Sequence, residues 1–223
     1  MANSKHLAEL KKGIKNWNQW RLENPDIIPD LRKADLRGFD LSFANFRDAK
    51  LVETRFSGAC LHSANLTKAD LSFSRLVATN LKFANLKSSN LSQATLIKAN
   101  LSEADLMKAN LSEVNLSEAN LSKANLRFTQ LFKANLTKAD LSLAVVKKAQ
   151  LQNTDMTAVR GLGSDFTEAN LTGACLHNWN IDLKTNFDSV ECDYVYRKKR
   201  YGSEFTDRYP RDKNFEPGEF TKE

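Results

Sequence analysis

From Leu31 to Ile181 an apolar residue returns every fifth position without an insertion or deletion. The series begins Leu31, Leu36, Leu41, Phe46, Leu51, Phe56, ends Met156, Phe166, Leu171, Leu176, and lapses once, at Gly161. A period of five suits neither regular element. On a helix each step of five advances about 500°, so the leucines drift by about 140° and form no stripe. On a strand an odd step sends alternate side chains to opposite faces. Only a chain that turns a corner every five residues points them all inward, which predicts a solenoid.

The residues between the leucines repeat as well. Two before each leucine stands a small side chain, as at Ala34, Ala44, Ala64 and Ala69, and the residue just before is usually Asp or Asn. Those two types tolerate unusual backbone angles and bond to nearby main chain, so they are expected to form the corners. Charge gives the number of corners per turn. Residues two after each leucine that lie 20 apart pair as Lys33–Glu53, Asp48–Lys68, Lys98–Glu118, Glu118–Lys138, Glu103–Lys123, Glu113–Lys133 and Lys148–Glu168, all opposite in sign. At a spacing of 15, like and opposite pairs are equally common, and at 10 or 25 like pairs dominate. Twenty residues, four corners, therefore make one coil, and coils about 4.8 Å apart bring such residues into ladders. The repeat then forms a rod about 36 Å long at that spacing.

The units Ala64-Asn65-Leu66-Thr67-Lys68, Ala69-Asp70-Leu71-Ser72-Phe73 and Ala119-Asn120-Leu121-Ser122-Lys123 resemble the A(D/N)LXX signature of the pentapeptide-repeat family. The resemblance implies an all-β solenoid, a right-handed quadrilateral β-helix, here of about seven to eight coils at 20 residues each. Trp17-Asn18-Gln19-Trp20-Arg21 and Asn214-Phe215-Glu216-Pro217-Gly218-Glu219-Phe220 look like the flanks of some cyanobacterial members, which implies a bacterial source.

Three segments follow. Residues 1–30 hold an amphipathic helix over 4–24, with Ser4 as N-cap and Pro25 as its end, then a stiff connector. Residues 31–181 form the β-helix. Residues 182–223 leave the repeat for a strand and an aromatic-rich extended tail. A solenoid exposes apolar ends that need caps. Trp17 and Trp20 are the expected plugs at one end. At the other, the alternation of Val190, Cys192, Tyr194 and Tyr196 with Glu191, Asp193 and Val195 predicts a closing strand. At Gly161 a local bulge is expected, with Leu162 filling the gap, and Phe39 is expected to pack under the N-terminal helix.

No apolar stretch approaches the roughly 20 residues of a membrane helix, and residues 1–6 lack the apolar run of a secretory signal. Three cysteines are too few for a disulfide framework, which points to a reducing cytoplasm. The net charge of +6 lies in residues 31–181, which carry 19 basic and 13 acidic side chains. That excess is too modest to predict nucleic-acid binding. Quinolone-resistance members of the family resemble B-DNA in shape and negative charge and bind DNA gyrase. A basic rod contradicts the electrostatics of such a role.

Nor does enzyme chemistry converge. Gly-Ala-Cys-Leu-His occurs at 58–62 and 173–177, but 115 residues are five and three-quarter coils, which puts the copies on different sides and about 27 Å apart. No metal or cofactor is expected. No glycine-rich phosphate loop is present, the tail gathers no catalytic set, and the Arg197–Arg200 run reads as a solvated turn. What departs from the pattern is apolar and outward. Phe43, Phe83 and Leu143 share one column, Phe73 and Phe132 occupy neighbouring slots of another, and Phe128 stands above Lys108. Such positions mark contact surfaces unless the tail covers them. The expectation is a non-enzymatic protein-interaction scaffold with an unnamed protein partner, and homo-oligomerisation is compatible with it.

Overall fold

The computed structural model describes residues 1–200, 204–216 and 218–220. Its elements are α1 (Ser4–Lys11), α2 (Ile14–Glu23), β1 (Val195–Lys199) and β2 (Phe205–Tyr209). Between α2 and β1 the chain forms no long strand. It makes a parallel bridge at every fifth residue, from Asp30↔Lys50 through Arg160↔Asn180, and each joins residues 20 apart. One coil is thus four corners. Its first side carries Leu31, Leu51 and Leu71 inward, the second Leu36 and Phe56, the third Leu41 and Leu61, the fourth Phe46 and Leu66.

Each corner bonds most of its backbone. At Leu71, the Leu71 N–H donates to the Asn90 carbonyl (2.7 Å), the Phe73 N–H to Ser92 (3.0 Å), the Arg75 N–H to Thr54 (2.9 Å), and the Ser74 N–H closes the turn onto Leu71 (3.1 Å). The interior is leucine and phenylalanine with alanine between. Where Ser or Thr replaces alanine, its hydroxyl bonds to a nearby carbonyl, as Ser74 Oγ to Leu71 O (2.6 Å) and Thr54 Oγ1 to Leu31 O (2.9 Å). A buried hydroxyl without such a partner would be costly.

The corner chemistry differs from expectation. The unusual backbone lies not at Asp or Asn but two residues after each leucine, where every fifth residue from Lys33 to Asn178 has φ between 53° and 75°. This is the third residue of a four-residue turn, where a type II turn requires positive φ. Most of these residues are Lys, Glu, Phe or Ser rather than Gly. Each left-handed residue costs on the order of 1 kcal/mol, and the stack offsets that cost because its N–H then reaches the next coil. The Asp and Asn side chains instead hold the turn from inside its first half, as Asp70 Oδ1 accepts the Ser72 N–H (3.1 Å) and Asn120 Oδ1 the Ser122 N–H (2.9 Å). They also ladder between coils, with Asn110 on Asn90 (3.3 Å) and Asn90 on Asp70 (3.1 Å).

The Gly161 lapse is no bulge. The ladder passes through it, with the Gly161 N–H on Asn180 O at 2.8 Å and the Ser164 N–H on Gly161 O at 3.2 Å. Leu162 is half-buried and is not among the residues packed on the core. A Cβ at Gly161 would lie 3.5 Å from Trp179 Nε1 and 3.5 Å from Ile181 Cγ2. A tryptophan in an alanine slot one coil on thus occupies the space a leucine would have taken. The register then slips by one residue, giving Asp165↔Asn186, Asn170↔Glu191 and Cys175↔Tyr196. Coil pairing therefore continues past Ile181, with Phe187 packed against the core where the shifted frame requires. Ile181 itself is 42% exposed, not an inward residue.

The helix expected over 4–24 is two helices, because Gly13 adopts φ 101° between them. Asn3 rather than Ser4 is the N-cap, and its Oδ1 accepts the Lys5 and His6 N–H groups. Phe39 does not pack under the helices and is 36% exposed. The closing strand begins at Val195, later than the alternation from Val190 suggests, and Val195, expected outward, is buried. The Arg197–Arg200 run is mostly β1 itself rather than a turn. It pairs antiparallel with β2 in the register Val195↔Tyr209 to Lys199↔Phe205.

Candidate protein-interaction surface

Since the ladders take up most of the backbone, the sides present mainly side chains. The six outward apolar residues do not form one patch. Phe43, Phe83 and Leu143 lie on the third side, Phe73 and Phe132 on the first, and Phe128 on the fourth, as their positions in the 20-residue register dictate. On the third side, Phe43 and Phe83 are two coils apart, and His62 bridges them edge-on at 5.7 and 5.5 Å between ring centroids. The Lys82 ammonium sits 4.6 Å from the Phe83 ring. Leu143 is three coils further, beyond Glu103 and Lys123, and drapes over Gly163, where a Cβ would meet its Cδ2 at 3.0 Å. The described residues of the tail cover none of them: Phe43 is 63% exposed, Phe73 54% and Leu143 56%. Phe132 carries Lys133 over its ring at 5.1 Å, and Phe128 carries Lys148 at 5.9 Å.

Of the residues expected at the ends, Trp17 is fully buried against Phe46 and donates Nε1–H to Asn45 O (3.0 Å). Trp20 is half-buried between the rings of His6 and Trp17, each at 5.2 Å. Tyr194 and Tyr196 stand edge to face at 5.8 Å, both half-buried, with the Arg208 guanidinium 4.2 Å from the Tyr194 ring. The Tyr196 N–H donates to Ala174 O (2.8 Å), extending the ladder.

Two polar side chains of the helix complete this end, and of them only Asn18 was missed from sequence, because a polar group on a helix reads as solvated. Asn18 accepts the Asn45 N–H (2.8 Å) and donates to Phe43 O (3.0 Å). Arg21 is buried and donates to Ile27 O (2.6 Å) and Arg47 O (3.0 Å). Burial pushes its guanidinium below its ordinary value, and the charge of Asp48 opposes that shift. With Trp17 they occupy the open edge of the first coil, where a preceding coil would have bonded. At the far end the missed residues are Trp179 and Phe187, whose rings cluster with Phe166 at 5.4 to 5.5 Å. Phe220 continues the cluster to Phe215.

Burial pushes the Cys192 thiol up to about 12, so it carries no thiolate near neutrality. Cys60 contacts Ser42 Oγ, and Cys175 is buried near the Lys198 carbonyl, so the two copies of Gly-Ala-Cys-Leu-His do not meet. Among the described residues no cluster of His, Cys, Asp or Glu has a metal-binding arrangement, and no helix is long and apolar enough to cross a membrane. Arg32 and Arg37 hold the carboxyls of half-buried Asp30 and exposed Asp35 at about 2 through hydrogen bonds.

The geometry agrees with the comparisons. The family model described as pentapeptide repeats matches residues 30–67, 74–112, 109–146 and 147–178, and the chain belongs to the pentapeptide-repeat family. Among solved structures it is similar to HetL, a pentapeptide repeat protein involved in heterocyst differentiation regulation from the cyanobacterium Nostoc sp. strain PCC 7120. Identity there is 25% over 79% of this chain and 91% of that one, with a TM-score of 0.28. A pentapeptide repeat protein from the Arabidopsis thaliana thylakoid lumen is 29% identical over 40% of this chain and 66% of its own, with a TM-score of 0.35. QnrB1, a plasmid-mediated fluoroquinolone resistance protein, is 17% identical over 77% and 89%, with a TM-score of 0.43. No curated protein matches the chain.

Proposed function

We propose that the chain is a non-enzymatic protein-binding scaffold, built on a right-handed, four-sided β-helix of seven to eight coils. In this reading residues 1–30 and 182–223 close its ends, with Trp17, Trp20, Tyr194 and Tyr196 among the closing residues, and the protein works in a reducing cytoplasm. The observation that carries the reading is the Phe43–His62–Phe83 cluster: three rings in contact, both phenylalanines exposed, on a side whose backbone is mostly bonded. Each phenylalanine covered by a partner, already partly buried, would contribute on the order of 1 kcal/mol, more than most exposed ion pairs nearby. A gyrase-directed, DNA-mimicking role is disfavoured, because the sides of the stack carry a net positive charge.

The test is capture from the native cell with wild type, a Phe43→Ser and Phe83→Ser double variant, and a Phe132→Ser control on another side. One partner should be lost from the double variant and kept by the control, with circular dichroism unchanged in all three. Equal capture by all three proteins refutes the aromatic cluster as the binding site.

A further inference from the structure

The basic excess is not spread evenly, and its placement defines a second surface. On the fourth side the 20-residue register stacks Lys87, Met107, Arg127 and Lys147 in one column. Beside them Lys68, Ser88, Lys108, Phe128 and Lys148 form the next. Every coil from Lys68 to Lys148 therefore presents at least one cation, over four steps of about 4.8 Å. Lys87 pairs with Asp105 (3.0 Å), Lys147 with Asp165 (3.0 Å) and Lys148 with Glu168 (3.1 Å). Lys68, Lys108 and Arg127 make no ion pair among the described residues, and Arg127 reaches only Asn125 Oδ1 (3.1 Å). Within the ladder stand three exceptions to its charge, Ser88 and two apolar residues, Met107 and the 47% exposed Phe128, the latter beneath the Lys148 ammonium.

We propose that this side docks an acidic helical segment of a partner protein, with carboxylates along the lysine and arginine columns and an apolar side chain against Phe128 and Met107. Three considerations select that occupant. Charge complementarity asks for an anion, and three unpaired cations spread over two adjacent columns make the demand directional. The axial step of about 4.8 Å lies close to the 5.4 Å pitch of an α-helix, which can offer one carboxylate per turn. An extended strand repeats on one face only every 6.6 to 6.8 Å, about two residues. Finally, the apolar centre within a charged surround has the composition of a protein contact, in which aromatic residues, Met and Arg are enriched. Single-stranded nucleic acid also uses aromatics among cations, but it needs successive stacking platforms, and here a lone phenylalanine stands on a flat side. The proposal goes beyond the aromatic cluster and concerns a different side of the stack.

The probe is a fluorescein-labelled helix-forming peptide with one glutamate per turn and a central phenylalanine, followed by fluorescence anisotropy against the full chain. Binding should weaken as salt rises. Lys108→Glu with Arg127→Glu should weaken it about tenfold or more, and Phe128→Ala about fivefold. Lys98→Glu with Lys138→Glu, the same charge change on the second side, should leave it within about twofold. Phe43→Ser with Phe83→Ser should also leave it unchanged, which separates failure here from failure of the aromatic cluster. Equal weakening by both charge-reversal pairs, absence of peptide binding, or tighter binding of a single-stranded DNA oligonucleotide than of the peptide would each overturn the proposal.

Discussion

The two ends of the stack solve one problem by opposite means. At the first coil, side chains from a helix take over hydrogen bonds that a preceding coil would have made: Trp17 and Asn18 on Asn45, and Arg21 on Arg47. At the last coils, main chain does that work. The rung pattern runs on through Tyr196, and the chain then folds back as the β1–β2 hairpin, so the edge is paired rather than plugged. Beneath the hairpin the gap is filled by aromatic volume, with Trp179 over Gly161 and Phe187 stacked on Phe166. The helical end therefore rests on a few buried polar contacts, each important, and the hairpin end on many shared ones.

That difference predicts unequal sensitivity. Trp17→Ala should give the largest effect, about 3–5 kcal/mol, because it removes a fully buried indole and also orphans the Asn45 carbonyl. Solenoids unfold with limited cooperativity, so the informative measurement is amide hydrogen exchange resolved by coil. Protection should fall at Leu31, Asn45 and Lys50 and persist beyond the middle of the stack. Trp179→Ala, where the indole is only partly buried, should cost less and act near Gly161 and Ser164. A larger loss from Trp179→Ala would reverse the proposed division between the two ends.

Arg21→Met comes next. It keeps the apolar stem and removes two hydrogen bonds to backbone carbonyls, for about 1.5–3 kcal/mol. Exchange should rise at the first coil alone. No change would mean that water replaces the guanidinium and that the edge needs no side-chain cap.

Much of this molecule was legible because a solenoid writes its geometry into one dimension. The coil length could be read from charge columns, although only Lys33–Glu53, Lys98–Glu118 and Lys148–Glu168 of the seven pairs close within 4 Å. Glu103 turns instead to Lys82 at 3.5 Å. The columns therefore carry register information even where they form no contact. The left-handed turn position was not legible, since Lys, Glu and Phe there have no intrinsic preference for positive φ and the stack imposes it. Phe187 was hidden for another reason: one inserted residue moves it out of the five-residue frame. The outward phenylalanines stood out as exceptions, but only the folded register shows that Phe43 and Phe83 meet across His62 while Phe132 and Phe128 stand on other sides.

The smallest effect tests the link between hairpin and stack, the Lys199 ammonium on the buried carboxyl of Asp155. Burial raises the carboxyl's pKa, but hydrogen bonds from Lys199 and Thr157 outweigh it and hold the group below its ordinary value. A folded-state pKa below the unfolded value of about 3.9 stabilises the protein fully above that pH. The contribution disappears as pH falls through the lowered folded value. Lys199→Met leaves burial and Thr157 in place, so the Asp155 midpoint should rise in a carboxyl NMR titration, with a stability loss near neutrality of about 1 kcal/mol. Exchange should increase in β1 and β2, while the coils below Asp155 keep their protection. If the coils loosened together with the hairpin, the far end would be as dependent on a single polar contact as the near one, and the contrast between the ends would fail.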